Sequence, residues 1–188
     1  TFDDVLIRPK RSTLVSRSDV TLVREFKFRH SDVTWTGVPI VAANMDTTGL
    51  FTIAAELQNH QMMTCMQKFY STREYSEAWD EGINPEFVAV TCGSTENSFD
   101  LLKRKMATNS GTKLICIDVA NGYREVFLDF VRRVRQEFPS SIIIAGNVAT
   151  REMTEALILA GADIVKVGIG PGSVCTTRKV AGVGYPQL

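Results

Sequence analysis

One stretch of the chain combines residue types that could perform covalent chemistry. Three glycines and a proline fall within residues 168–172, and this composition excludes a regular helix or strand there. The tight loop that they predict leads to Cys175, which is followed by Thr176 and Thr177. A thiolate is the nucleophilic form of cysteine, and nearby backbone amides favour it. Cys175 is therefore a candidate nucleophile, and the alternative is a buried thiol in a surface turn.

The elements around this loop follow a regular alternation. The loop comes after an apolar run at residues 164–167, which is typical of a buried strand. Similar apolar runs precede it, and helical patterns lie between them; these runs predict strands at 38–43, 62–66, 87–90, 113–117 and 141–145. The centres of the six runs lie 22–28 residues apart, which suits a barrel, in which one strand–helix unit has about 25–30 residues.

Alternating strands and helices predict an α/β fold with a parallel sheet. The spacing favours a (β/α)8 TIM barrel, of which about six βα units are present. A doubly wound sheet is the alternative, but no GxGxxG motif follows the first strand. We expect a single barrel domain over residues 1–188 that lacks its C-terminal part. Residues 1–37 would form its N-terminal arm, in which alternation at 20–23 and 25–28 predicts a short hairpin.

Functional groups of a barrel lie at the carboxyl ends of its strands. Asn44, Lys68 and Asp118 follow three of the predicted strands. Turns favour Asn and Asp in any protein, which explains part of this pattern but not a lysine beside a buried strand. Backbone carbonyls around Gly170 and Gly172 could also coordinate a monovalent cation.

Composition excludes several classes of function. The 21 basic and 21 acidic residues balance, so nothing indicates attraction to nucleic acid or to a membrane surface. No uninterrupted apolar run approaches the roughly 20 residues of a membrane span. The four cysteines form no CxxC pair and the two histidines lie far apart, which argues against a zinc site or a disulfide framework. We expect a reducing, cytoplasmic setting.

The glycine-rich loop carries a recognisable signature. Residues 168–178, followed by 182–187, resemble the catalytic loop of the IMP dehydrogenase/GMP reductase family. Further segments look like its GMP reductase branch, namely 4–14, 16–20, 116–123 and the Tyr-Pro-Gln-Leu pattern at 185–188. IMP dehydrogenases usually carry a pair of regulatory modules after the second strand, whereas Lys68 here leads directly into the next predicted helix. The resemblance therefore favours the reductase branch.

The resemblance implies a definite reaction. NADPH would reduce GMP to IMP with release of ammonia, through a covalent thioimidate on the cysteine. By resemblance Cys175 is the nucleophile, Thr177 assists proton transfer, and Ser173 helps to hold the nucleotide phosphate. The resemblance also implies a potassium ion bound by backbone carbonyls of Gly170, Gly172, Cys175 and Arg178.

The resemblance further implies a cofactor site shared between subunits of a homotetramer. The positions that match the NADPH site are Ser16, Arg17, Lys68, Asp118, Val119, Ala120, Ile169 and Gly170. Of these, Ser16 and Arg17 would reach the dinucleotide of a neighbouring subunit. The chain departs from many relatives at Gln67, where they carry histidine, and at 180–181, where many reductases carry Lys-Thr.

Two alternatives remain open at this point. The first is IMP dehydrogenase, which shares the covalent cysteine but uses water and NAD. The second is a catalytically incomplete barrel that binds nucleotide. The second arises because the family's later phosphate-binding loops, a ribose-binding aspartate and a catalytic glutamate would all lie beyond Leu188.

Overall fold

The computed structural model describes residues 4–108 and 111–186. Gln187 and Leu188, which end the Tyr-Pro-Gln-Leu pattern, lie outside the described residues. Short 3-10 turns lie at Arg17–Asp19 and at Pro85–Phe87.

A β-hairpin follows the N-terminal arm, but its strands differ from those predicted. Strand β1 (Arg24–Lys27) pairs antiparallel with β2 (Thr34–Gly37), whereas no strand forms at 20–23. The expectation that 20–23 pairs with 25–28 was therefore wrong. The physical reason is burial, because Trp35 on β2 is only 8% exposed and belongs to the core. Val20 and Leu22, by contrast, are 47% and 62% exposed.

The main sheet has six parallel strands in the described residues, as predicted. These are β3 (Val41–Ala42), β4 (Met63–Cys65), β5 (Val88–Cys92), β6 (Leu114–Asp118), β7 (Ile142–Val148) and β8 (Ile164–Val167). Their spatial order is β3-β4-β5-β6-β7-β8, so each strand lies beside the next one in the chain. A doubly wound sheet reverses its order at a switch point, and this sheet does not. The order is that of a barrel.

Helices connect these strands. They are α1 (Phe51–Asn59), α2 (Thr72–Asp80), α3 (Glu96–Thr108), α4 (Glu125–Glu137), α5 (Arg151–Leu159) and, after β8, the short α6 (Thr177–Ala181). Helix α2 begins with a capping box, in which Ser71 and Glu74 satisfy each other's backbone amides. No helix in the described ranges has the length and apolar character to cross a bilayer.

Two apolar clusters hold the fold together. The larger lies between the helices and the outer face of the sheet, where α4 buries Phe127, Phe130 and Val134 at helical spacing. The smaller covers the inner face and includes Cys65 and Cys116, so these two buried thiols are packing residues. Together the clusters bury both faces of the central strands, as a parallel sheet requires.

A buried ion pair fixes the amino ends of β7 and β8. Arg135 on α4 places Nη2 2.5 Å from Oδ2 of Asp163, whose side chain is fully buried. The guanidinium also donates to the carbonyl oxygens of Gly161, Phe138, Pro139 and Ser141. Asp163 in turn accepts from the amides of His30 and Ile143. This network joins the hairpin, α4 and the strands at the end opposite to the glycine-rich loop.

Candidate active site

The predicted nucleophile lies in the loop between β8 and α6. Cys175 is half-buried, and its Sγ lies 3.3 Å from Oγ1 of Thr177. Hydrogen bonds from the hydroxyl and the backbone amide of Thr177 lower the pKa of Cys175, and the charge of Arg178 lowers it further. The structure therefore brings together the cysteine and the hydroxyl that the sequence singled out, and their contact favours the thiolate.

Close backbone approach explains why this loop is rich in glycine. Gly170 has φ +58°, and a Cβ there would lie 3.0 Å from Cγ of Arg178. A Cβ at Gly184 would lie 2.3 Å from the same atom. The Arg178 stem thus passes between two glycines. Ile169 and Gly170 are buried, and the carbonyl of Ile169 accepts from the amide of Tyr185 at 2.9 Å.

The four carbonyls predicted to bind potassium lie in this same loop. The oxygen of Gly172 accepts a hydrogen bond from the amide of Cys175 at 3.1 Å. It also accepts one from Nη2 of Arg178 at 3.4 Å. A carbonyl oxygen has two lone pairs, so these two donors occupy its capacity. This arrangement does not fit potassium unless the guanidinium moves away, and potassium binding stays a prediction.

A cavity of about 450 Å³ opens beside the carboxyl ends of β4, β5 and β6. Four residues predicted to line the NADPH site meet there, namely Lys68, Asp118, Val119 and Ala120. The other lining residues include the small or hydroxylated Gly93, Ser94 and Ser98, the apolar Phe69, Leu101 and Leu102, and a second lysine, Lys105. Apolar walls with a few polar groups are the surroundings that nucleotide rings and riboses occupy in proteins, so these residues fit part of a dinucleotide.

The remaining predicted site residues lie elsewhere. Ser16 and Arg17 are exposed in the N-terminal arm, where Oδ2 of Asp19 accepts from the amide of Ser16 at 2.8 Å. Neither residue lines the cavity of its own chain. Ser173 is exposed on the glycine-rich loop, and Ile169 and Gly170 are buried at the start of that loop and do not line the cavity.

Sequence reasoning missed one residue that the structure places beside Asp118. Lys166 on β8 donates to Oδ1 of Asp118 and to Oδ1 of Asn44, each at 2.5 Å. Burial opposes its charge, but interactions with Cys116 and with the Asp118 carboxylate outweigh burial and raise the pKa of Lys166. The available signal was a lone lysine within the apolar run at 164–167.

Comparison with known proteins identifies the family. A family model described as "IMP dehydrogenase / GMP reductase domain" matches residues 1–188. The chain belongs to the IMP dehydrogenase/GMP reductase family. Among curated family members, a GMP reductase from Tolumonas auensis is 55% identical over 189 residues, which cover 100% of this chain and 54% of that protein. A GMP reductase from Caenorhabditis elegans is 56% identical over 190 residues, covering 100% of this chain and 53% of that protein.

A solved family structure supports the fold. The crystal structure of inosine 5' monophosphate dehydrogenase from Legionella pneumophila matches with a TM-score of 0.82 and 33% identity. The match covers 99% of this chain and 55% of that one. The predicted partial (β/α)8 barrel is thereby confirmed. The chain spans about half the length of the curated relatives that it matches.

Proposed function

We propose that the protein is a GMP reductase, which converts GMP to IMP and ammonia at the expense of NADPH. The observation that carries the proposal is the Cys175 thiol, held 3.3 Å from the Thr177 hydroxyl in a glycine-rich loop at the carboxyl end of β8. Identity of 55–56% to GMP reductases over the whole chain supports this branch of the family.

The residues of this chain suggest how the first step proceeds. The Cys175 thiolate attacks carbon 2 of the guanine, and the bond from that carbon to the amino nitrogen breaks, giving a thioimidate. The departing nitrogen takes up protons and leaves as ammonia. Thr177 is placed to relay a proton, because its hydroxyl already contacts the reacting sulfur. A covalent intermediate divides one difficult displacement into two easier steps.

The second step needs the cofactor. NADPH, when bound, would supply a hydride to carbon 2; Cys175 would then leave as the thiolate when its bond to that carbon breaks, which releases IMP. Lys68, Asp118, Val119 and Ala120 would hold NADPH in their shared cavity. Ile169 and Gly170 would contribute from the adjacent loop.

Assembly into a homotetramer would complete the cofactor site. Ser16 and Arg17 belong to an arm whose apolar residues face solvent in the single chain, and Leu6, Ile7 and Val15 are each at least 96% exposed. Such exposure favours burial against another subunit. We propose that the arm brings Ser16 and Arg17 to the NADPH of a neighbouring subunit.

Nicotinamide absorbance tests the proposal and its main alternative together. The full-length protein is assayed with GMP plus NADPH and, separately, with IMP plus NAD. We expect NADPH to be consumed in the assay with GMP, and no reaction in the assay with IMP and NAD. Cys175→Ser should abolish the consumption of NADPH. Val174→Ala serves as the matched control, because Val174 is 92% exposed in the same loop. Formation of NADH with IMP, without NADPH loss with GMP, would identify an IMP dehydrogenase and reject the reductase.

A further inference from the structure

A second lysine of the cavity wall is almost completely buried. Lys105 on α3 is 1% exposed and lines the same cavity as Lys68. A buried ammonium group is costly, so it is retained only where it has partners or a task. Within residues 4–108 and 111–186 it forms no ion pair. The pKa of Lys105 is lowered by burial, and the charges of Cys92 and Glu74 offset this only in part.

The Lys105 ammonium has one hydrogen-bond acceptor in the described chain. Its Nζ donates to the backbone carbonyl of Lys68 at 3.2 Å and lies 5.4 Å from the centre of the Tyr75 ring. Glu74 is the carboxylate whose charge acts on it, but Oε2 of Glu74 accepts from both the amide and the hydroxyl of Ser71. The charge of Lys105 is therefore directed at the segment that follows β4.

That segment carries Lys68 and depends on few contacts. The amide of Gln67 donates to the carbonyl of Gly49 at 2.9 Å, and the Gln67 side chain accepts from the amide of Phe69 at 2.8 Å. The Lys68 carbonyl and the Phe69 amide belong to one peptide plane, so the bond from Lys105 and the bond to Gln67 hold opposite edges of that plane. The Lys68 side chain itself is exposed, with Nζ 5.6 Å from the centre of the Phe69 ring.

We propose that Lys105 is a positioning residue for the cofactor site: its buried ammonium holds the Lys68 carbonyl and thereby sets the direction of the Lys68 side chain at the cavity. The expected effect of Lys105 on the KM for NADPH rests on the proposed GMP reductase function. A purely structural role is a poor explanation, because a methionine of similar length would fill the same space without the cost of a buried charge.

The test compares Lys105→Met with Lys103→Met in the full-length protein. Lys103 lies on the same helix, but its side chain is 42% exposed and pairs with Asp100, with 3.1 Å between Nζ and Oδ1. We expect Lys105→Met to raise the KM for NADPH about tenfold, the effect of losing one hydrogen bond from a charged group, with a smaller change in kcat. Lys103→Met should leave both constants unchanged.

A double-mutant cycle separates positioning from packing. If Lys105 acts through Lys68, adding Lys105→Met to Lys68→Met should not raise the KM for NADPH further. Additive effects would overturn the proposal. Lys105→Gln keeps an N–H donor, so its KM for NADPH should lie between those of the wild type and Lys105→Met. If Lys105→Met does not fold, Lys105→Gln takes its place in the cycle.

Hydrogen exchange without ligand keeps this inference distinct from the proposed function. In Lys105→Met the amides of residues 67–70 should exchange faster than in the wild type, while those of the sheet stay protected. Unchanged exchange at 67–70 would overturn the proposal whatever reaction the protein catalyses. A wild-type protein that does not consume NADPH with GMP would defeat the proposed function, and the exchange result would still decide the role of Lys105.

Discussion

Lys166 and Asp118 form an ion pair across an intervening strand, with 2.5 Å between Nζ and Oδ1. Asp118 ends β6 and Lys166 lies on β8, and both are in register with Gly146 of β7. Since glycine has no side chain, the lysine and the aspartate can meet over the strand between them. The same ammonium reaches Asn44, which follows β3 at the other edge of the sheet.

Removing the Lys166 ammonium should weaken cofactor binding. Lys166→Met leaves the partly buried Asp118 carboxylate without its cation, so its orientation in the cavity is lost. We expect the Kd for NADPH to rise about 10-fold to 100-fold, since a hydrogen bond to a charged group contributes about 1.5–3 kcal/mol. Fluorescence titration with NADPH measures this. Lys113→Met, an exposed lysine at the opposite end of β6, is the control, and equal affinities in the two variants would refute the role of Lys166.

A methyl group at Gly146 should have the same effect by steric means. A Cβ there would lie 2.6 Å from both Cβ and the carbonyl oxygen of Lys166. We expect Gly146→Ala to displace Lys166 and weaken NADPH binding as Lys166→Met does. The comparison variant combines Gly146→Ala with Lys166→Met. It should bind NADPH no more weakly than either single variant. Independent, additive losses would show that Gly146 does not act through the ion pair.

The Thr177 hydroxyl should control the reactivity of the thiol. Because Thr177 lowers the pKa of Cys175, the thiolate is populated at lower pH than for an ordinary cysteine. Thr177→Val removes the hydroxyl but keeps the amide, so the midpoint of iodoacetamide alkylation against pH should move upward. Peptide mass spectrometry follows Cys175 alone. Thr176→Val is the matched control, and an unchanged midpoint in Thr177→Val would contradict the contact.

The Arg135–Asp163 pair should stabilise the fold far more than a surface pair does. Asp163→Asn leaves the guanidinium without its carboxylate in a buried site, and breaking such a pair costs about 3–5 kcal/mol. Arg132→Met breaks an exposed pair with Asp129 and should cost less than about 1 kcal/mol. Urea unfolding of the full-length protein gives both free energies. Similar losses for the two variants would show that the buried pair contributes little.

Local patterns made much of this fold predictable. Short apolar runs predicted the six parallel strands, because a strand buried on both faces, as the central strands β4 to β7 largely are, reads as a continuous apolar segment. The Ser71–Glu74 capping box and the glycine-rich loop before Cys175 are likewise local signals. The hairpin partner was wrong because that choice depends on where Trp35 is buried, which is a property of the tertiary structure.

The buried Lys105 and the half-buried Lys166 make contacts that are distant in sequence, so local patterns could not predict them. Lys166 contacts Asp118, which is 48 residues away in sequence, and Asn44, which is 122 residues away. These contacts depend on the register between strands, which no local sequence motif indicates. Lys105 follows Lys103 and Arg104 directly, a run of charges typical of an exposed helix surface. Only the packing of α3 distinguishes the buried lysine from its exposed neighbour.

The most direct test of the account is the mass of the peptide that contains Cys175 after the full-length protein reacts with GMP without NADPH. We predict a purine nucleotide adduct on Cys175 equal to GMP less ammonia, absent in Cys175→Ser and discharged as IMP when NADPH is added. NADPH consumption with GMP while Cys175 carries no adduct, or an adduct on another residue, would contradict the assignment of Cys175 as the nucleophile.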